Sequence, residues 1–201
     1  MLLKEFAPWQ TVYYYFKQWK HNGRRHDFLV SKVRLKKRKQ ATPTIAIINS
    51  QSIKTANVCQ RSIGYDGGKK IKGRKGHIIV DTLGLILAIV MHSVTPHDSK
   101  AAECVLVRLK NKYINGIVKI FADEGYRGEL KEIVRLKLGW ILEVIKRNEA
   151  GKFKILLKRW SVEQTFAWVS VQRRTSKGYE RWTESSVAFI QLMIRVMLNK
   201  F

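Results

Sequence analysis

Three side chains stand where oxygen-ligand chemistry can be done: Asn49, Asp123 and Glu163. Asn49 ends the apolar run of "PTIAII" and opens the polar run "NSQS". A buried strand that stops so abruptly turns a polar group into a cleft. Nucleotidyl-transfer enzymes commonly place a metal-binding carboxylate at such a strand end; here it is a carboxamide. Asp123 closes a second apolar run, "IVKIFA". Glu163 lies in "RWSVEQTFAW", whose Val162, Phe166 and Val169 share one side of a helix. A lone Glu on an amphipathic helix is usually a solvated surface residue. Glu163 gains weight from the strand-end Asp123 and from the cations around it.

The elements that must position these groups are legible from Thr44 onward. A strand is expected over 44–48, a second over 77–82 and a third over 86–92, with Gly84 near the turn between the last two. Pro96 breaks the chain. Asp98 or Ser99 then caps a helix with Ala102, Val105, Leu106 and Leu109 on one face. A fourth strand is expected over 117–122. The next helix starts at Glu129, carries Leu130, Ile133, Val134 and Leu138 on one face, and ends at Gly139. A fifth strand over 140–145 and helices over 159–172 and 184–199 complete the chain. The last helix is apolar nearly all round and is expected to be well buried.

This order predicts an α/β fold with a mixed sheet. Three antiparallel strands form a meander, and two strands enter by helical crossovers, parallel to the first, as in a ribonuclease H-like fold. Strands one and four are then parallel neighbours, so Asn49 and Asp123 meet at one edge, where open α/β sheets bind ligands. Asp81 falls near the opposite edge and reads as a turn residue. Asp66, in a basic loop, is expected to pair with a Lys.

Charge sets the partner. Lys and Arg number 39 against 15 Asp and Glu, for a net charge of +24. Such an excess points to a polyanion: DNA, RNA or an anionic membrane. A membrane is the weakest option, because "LGLILAIVM" is far too short to span one. No signal peptide is evident at the N-terminus. A cytoplasmic, nucleoid-associated protein is expected, with Cys59 and Cys104 as reduced thiols. The loop "GYDGGKKIKGRKG" offers Lys69, Lys70, Lys72, Arg74 and Lys75 to phosphates, and Arg173, Arg174 and Lys177 extend that surface. Residues 1–42 read as a helical, basic N-terminal segment and 43–201 as the main domain. In the segment, Trp9, Val12, Tyr13, Phe16 and Trp19 form a stripe expected to dock on the body, and "KVRLKKRK" is a candidate phosphate contact.

The motifs "SQSIKT", "GYDGGKKIKGRKGHIIVDTLGL", "FADEGYRG", "GWILEVIKR" and "RWSVEQTFAW…RR" together resemble the compact DDE transposases of bacterial insertion sequences. The likeness runs from "PWQTVYYYF" onward. It implies a ribonuclease H-like fold, two Mg²⁺ ions (Mn²⁺ can substitute) and phosphodiester chemistry on double-stranded DNA, at element ends and target. It also implies assembly as a homo-oligomer on that DNA. The triad falls on Asn49, Asp123 and Glu163, all metal ligands, with Arg159 one helical turn before the Glu. Family members extend further upstream, so the chain is expected to be truncated before Phe6.

Where the family carries Asp, this chain has Asn49. A carboxylate there would bridge two dications, whereas the carboxamide offers one neutral oxygen. A severe loss of activity is expected. Three readings follow: a transposase performing DNA cleavage and strand transfer, a catalytically dead DNA-binding remnant or repressor, and a basic RNA-binding protein.

Overall fold

The computed structural model describes residues 6–22, 24–56, 61–96, 98–113, 115–145 and 157–198. Its centre is a six-stranded mixed sheet. The strands are β1 (Ile45–Lys54), β2 (Gly64–Asp66), β3 (Ile71–Val80), β4 (Ile86–Ser93), β5 (Lys119–Ala122) and β6 (Ile141–Val144). β3 pairs antiparallel with β1 on one side and with β4 and the short β2 on the other. β5 joins β1 in parallel, and β6 joins β5 in parallel. With β2 set aside the order is β4-β3-β1-β5-β6, the ribonuclease H-like arrangement expected from the order of strands and crossovers.

β1 runs six residues past its expected end at Ile48. The polar stretch stays in the ladder because its backbone has a partner, with Asn49 opposite Ile78 and Lys54 opposite Gly73. Main-chain pairing here outweighs side-chain polarity. The same ladder converts most of the expected loop over 64–76 into a hairpin. Gly73 makes that close approach feasible, since a Cβ there would stand 2.0 Å from the carbonyl oxygen of Ile53.

Helices cover both faces. α3 (Asp98–Lys112) buries Ala101, Ala102, Val105, Leu106 and Leu109, the stripe expected from its periodicity. α4 (Leu130–Ile133) continues into a π-helical turn over Val134–Leu138 and closes at Gly139. α5 (Leu157–Val171) lies across β1, β3 and β5. α6 (Thr183–Leu198) packs along β4. No helix among the described residues is long and apolar enough to cross a membrane.

The N-terminal segment departs from expectation in two ways. α1 (Trp9–Asn22) docks through Phe16, whose ring lies 5.1 Å from that of Phe189, and through Lys20, which donates to Ser185 at 3.1 Å. The front of its stripe does not dock: Trp9 is 64% and Tyr13 59% exposed. α2 (Arg24–Lys36), read as part of a basic appendage, instead joins the main core through Val30 and Val33. Its Arg34 is buried against Asp81 and cannot serve a phosphate.

Candidate active site

The register of β1 and β5 sets the site. Ile45, Ala46 and Ile47 lie opposite Lys119, Ile120 and Phe121. The ladder ends there; continued for two residues, the same register would set Asn49 opposite Asp123, just past the end of β5. Asn49 accepts the Ser50 amide on its Oδ1 at 2.8 Å. Asp123 caps the 3₁₀ turn Glu124–Tyr126, its Oδ1 accepting the Gly125 amide at 3.0 Å.

Asn49 shares its sheet face with its cross-strand partner Ile78, and α5 crosses that face. Val162 and Thr165 of α5 are completely buried, and Thr165 donates to the carbonyl oxygen of Gly84 at 2.8 Å. Gly84 takes a φ of +78° in the turn after β3, so its carbonyl is free to face the helix. Glu163 follows Val162, about 100° round the helix from it, and is exposed. Arg159 lies on α5, but its side chain falls outside the described residues, as does Cys59. Cys104 is an exposed free thiol.

A polar network of Lys75, His77, His92, Asp98 and Tyr126 had no signal in the sequence. Lys75 Nζ pairs with Asp98 Oδ1 at 2.8 Å. His77 sits 3.7 Å from the same oxygen through Nε2, and its Nδ1 meets the Tyr126 hydroxyl at 3.0 Å. His77 also stacks on His92 at 4.9 Å. Burial, reinforced by His92, pushes the His77 imidazole down to about 4, so it is neutral at ordinary pH. Burial drives the Tyr126 phenol well above its usual range. Asp98 approaches Asp123 across Gly125: a Cβ at position 125 would lie 3.2 Å from Asp123 Oδ1 and 3.6 Å from Asp98 Oδ2.

The expected DNA-contacting cations divide. Lys69, Lys70 and Lys72 are exposed on the β2–β3 hairpin, and Arg173 and Lys177 are exposed after α5. Arg74 and Lys75 are not available. Arg74 is fully buried, donating to the carbonyl oxygens of Arg61, Glu180 and Arg181 at 2.7 to 2.8 Å. Lys75 is 9% exposed and held by Asp98. Both fall on β3 where helices cover the two faces, so successive side chains turn inward in both directions. Arg174 pairs with Glu180 at 2.5 Å and lies 5.0 Å over the Phe189 ring. Asp66 accepts from Ser52 Oγ at 2.7 Å and from the Lys69 amide, not its side chain, at 3.1 Å. The Ser52 hydrogen bond, with the Lys69 amide, lowers its pKa.

A family model described as "Transposase DDE domain" matches residues 40–198. The chain belongs to this family. No curated protein matches it. Three solved structures resemble parts of this DDE domain at low identity. One is a chain of the simian T-cell lymphotropic virus intasome in complex with PP2A regulatory subunit B56 gamma, 14% identical with a TM-score of 0.43, over 65% of this chain and 40% of that one. Another is piggyBac transposase in a synaptic complex with hairpin DNA, 16% identical at 0.39, over 57% and 25%. A third is the catalytic domain of Mos1 mariner transposase, 10% identical at 0.37, over 88% and 91%. The DDE domain thus spans less than half the length of the first two.

Of the three expected ligand positions, Asn49 accepts the Ser50 amide on its carbonyl oxygen, Asp123 accepts the Gly125 amide, and Glu163 is exposed on α5. Among the described residues no group of three or more His, Cys, Asp or Glu can hold a metal ion.

Proposed function

We propose that this DDE domain handles duplex DNA for an insertion-sequence transposase, with Asn49, Asp123 and Glu163 as its three catalytic positions. Asn49 leaves this copy severely impaired in strand cleavage and strand transfer. The observation that carries the reading is the parallel register of β1 and β5, which, continued two residues past Ile47 and Phe121, sets Asn49 opposite Asp123. Asp123 and Glu163 would hold a divalent cation, Mg²⁺ or Mn²⁺, which would supply activation of a water or a DNA 3′-hydroxyl for attack on phosphorus. The Gly125 amide fixes the Asp123 carboxylate. Asn49 adds a carbonyl oxygen but no charge. Lys69, Lys70 and Lys72, on the β2–β3 hairpin further along β3, hold phosphates away from the site, and Arg159 supports the strand at the site. Assembly as a homo-oligomer on DNA and a nucleoid location belong to the same reading.

A second reading, a DNA-binding remnant or repressor with no catalysis, is favoured specifically by the carboxamide at position 49. Calorimetry with Mn²⁺ on the parent chain and on Asn49→Asp separates the two. Tighter Mn²⁺ binding and restored cleavage of element-end DNA in the variant support a catalytic position. Equal affinity removes position 49 from the ligand set. Duplex binding should fall steeply with salt, and replacing Lys69, Lys70 and Lys72 by Ala should flatten the log–log slope by roughly two to three. A preference for RNA over duplex DNA would instead favour a basic RNA-binding protein.

A further inference from the structure

The hairpin and the segment between α5 and α6, far apart in sequence, are locked into one surface. Thr55 bridges to Gly178 in parallel, the Ala56 amide donates to the Gly178 carbonyl oxygen at 3.1 Å, and the Gly178 amide donates to that of Lys54 at 2.9 Å. Arg74 completes the lock, its buried guanidinium holding the carbonyls of Arg61, Glu180 and Arg181. Lys72 lies two residues from Arg74 on β3 and so on the same sheet face, with Tyr65 as its cross-strand partner.

This surface mixes cations with exposed rings. Lys54, Lys69, Lys70, Lys72, Lys177 and Arg181 are exposed on it. Tyr65 is 62% exposed and Trp182 48%. The Arg61 guanidinium lies 4.1 Å over the Trp182 ring, which fixes one face of the indole and leaves area on the other side. Duplex DNA needs only the cations, because its bases are stacked on one another. Exposed aromatic faces among phosphate-binding cations suit bases that have no stacking partner.

We propose that Tyr65 and Trp182, on this Arg74-locked surface, form a stacking platform for single-stranded DNA. The proposal rests on the reading of the domain as DNA-handling and adds a second DNA state to it. The platform lies six residues along β3 from Ile78, the partner of Asn49, or about 20 Å at the usual rise per residue. About six stacked nucleotides of one strand cover that distance. A strand unpaired at the candidate site therefore reaches the rings.

Fluorescence anisotropy with labelled oligo(dT) and with a duplex of equal length, at one salt concentration, tests this. The parent chain should bind both. Trp182→Ala and Tyr65→Ala should each weaken oligo(dT) binding about tenfold and change duplex binding by less than about twofold, because a stacked base contributes far more than a phosphate left in place. Trp182→Phe should recover most of the loss. Tyr65 is exposed on a hairpin edge, so its variant reports even if Trp182→Ala unfolds. Equal losses on both ligands, or no loss on oligo(dT), overturn the platform. Binding of duplex but not oligo(dT) by the parent overturns it and leaves the proposed function standing. Binding of neither overturns both.

Discussion

Asp81 and Asp123 each follow a strand, and each turns Oδ1 back to accept the amide two residues on, from Leu83 at 2.9 Å and Gly125 at 3.0 Å. The local motif is the same Asx turn. The surroundings differ. Asp81 is fully buried, accepts a second amide from Leu85 at 2.9 Å, and meets the guanidinium of Arg34. Asp123 is half-buried at the carboxyl end of β5 and faces another carboxylate, Asp98, across Gly125. One charge joins α2 to the sheet; the other sits half-buried at a strand end with no cationic partner among the described residues. An Asx turn at a strand end therefore says that the chain bends there, and the neighbouring charges decide what the carboxylate can do.

The largest test of this contrast is at Arg34. Removing it leaves Asp81 charged and buried without its partner, which should destabilise the fold by about 3–5 kcal/mol. Urea unfolding of Arg34→Ala against the parent measures it. A loss below about 1 kcal/mol would mean that Asp81 is not a structural charge and would erase the contrast with Asp123.

A somewhat smaller effect should appear on acidification, and it belongs to the Asp123 side. His77, hydrogen-bonded to Tyr126 of the turn that Asp123 caps, is neutral in the fold, with its pKa pushed from 6.5 to about 4 by burial and by His92. The unfolded chain takes up the proton first, so stability is full above pH 6.5, falls as pH drops toward 4, and levels off below that. The loss is on the order of 3 kcal/mol. His26 and His92, also lowered by burial, act in the same sense. Asp81, raised by burial, acts in the opposite sense and offsets part of the loss. Denaturant midpoints from pH 7 down to pH 4 should show a shallower fall in His77→Phe than in the parent. Parallel curves would show that this imidazole does not titrate with folding.

How far such contrasts can be read without a fold depends on their range. The parallel pairing of β1 with β5 was legible because two helical crossovers force parallel strands, and parallel strands bring their carboxyl ends together. The role of Asp81 as a turn residue was legible from Gly84 close by. Its partner was not, since Arg34 is 47 residues away on a helix that looked like a basic arm. Arg74 and Lys75 were misread for a related reason. In a run of adjacent cations nothing local marks where the strand starts, and the strand starts at Ile71. The Asp98–His77–Tyr126 network joins three elements through side chains alone and leaves no periodic trace. The front of the α1 stripe has helical spacing and is still exposed, because periodicity fixes which face is apolar and not how much of it is covered.

The smallest effect on stability should come from the residue with the most to do. Asp123→Asn keeps an oxygen that can accept the Gly125 amide, so the turn persists. It also removes one of two carboxylates that face each other across Gly125, which relieves repulsion. The two changes nearly cancel, and the folding free energy should move by less than about 0.5 kcal/mol, as for a substitution away from any buried network. The heat of Mn²⁺ binding should nonetheless disappear, because only Glu163 would then bring a charge to the three positions. Asp81→Asn is the matched control. It should lower the denaturant midpoint, because the Arg34 charge loses its counterion in the interior, and leave the Mn²⁺ heat unchanged. If Asp123→Asn unfolds the protein while Asp81→Asn does not, the two aspartates have been assigned the wrong way round.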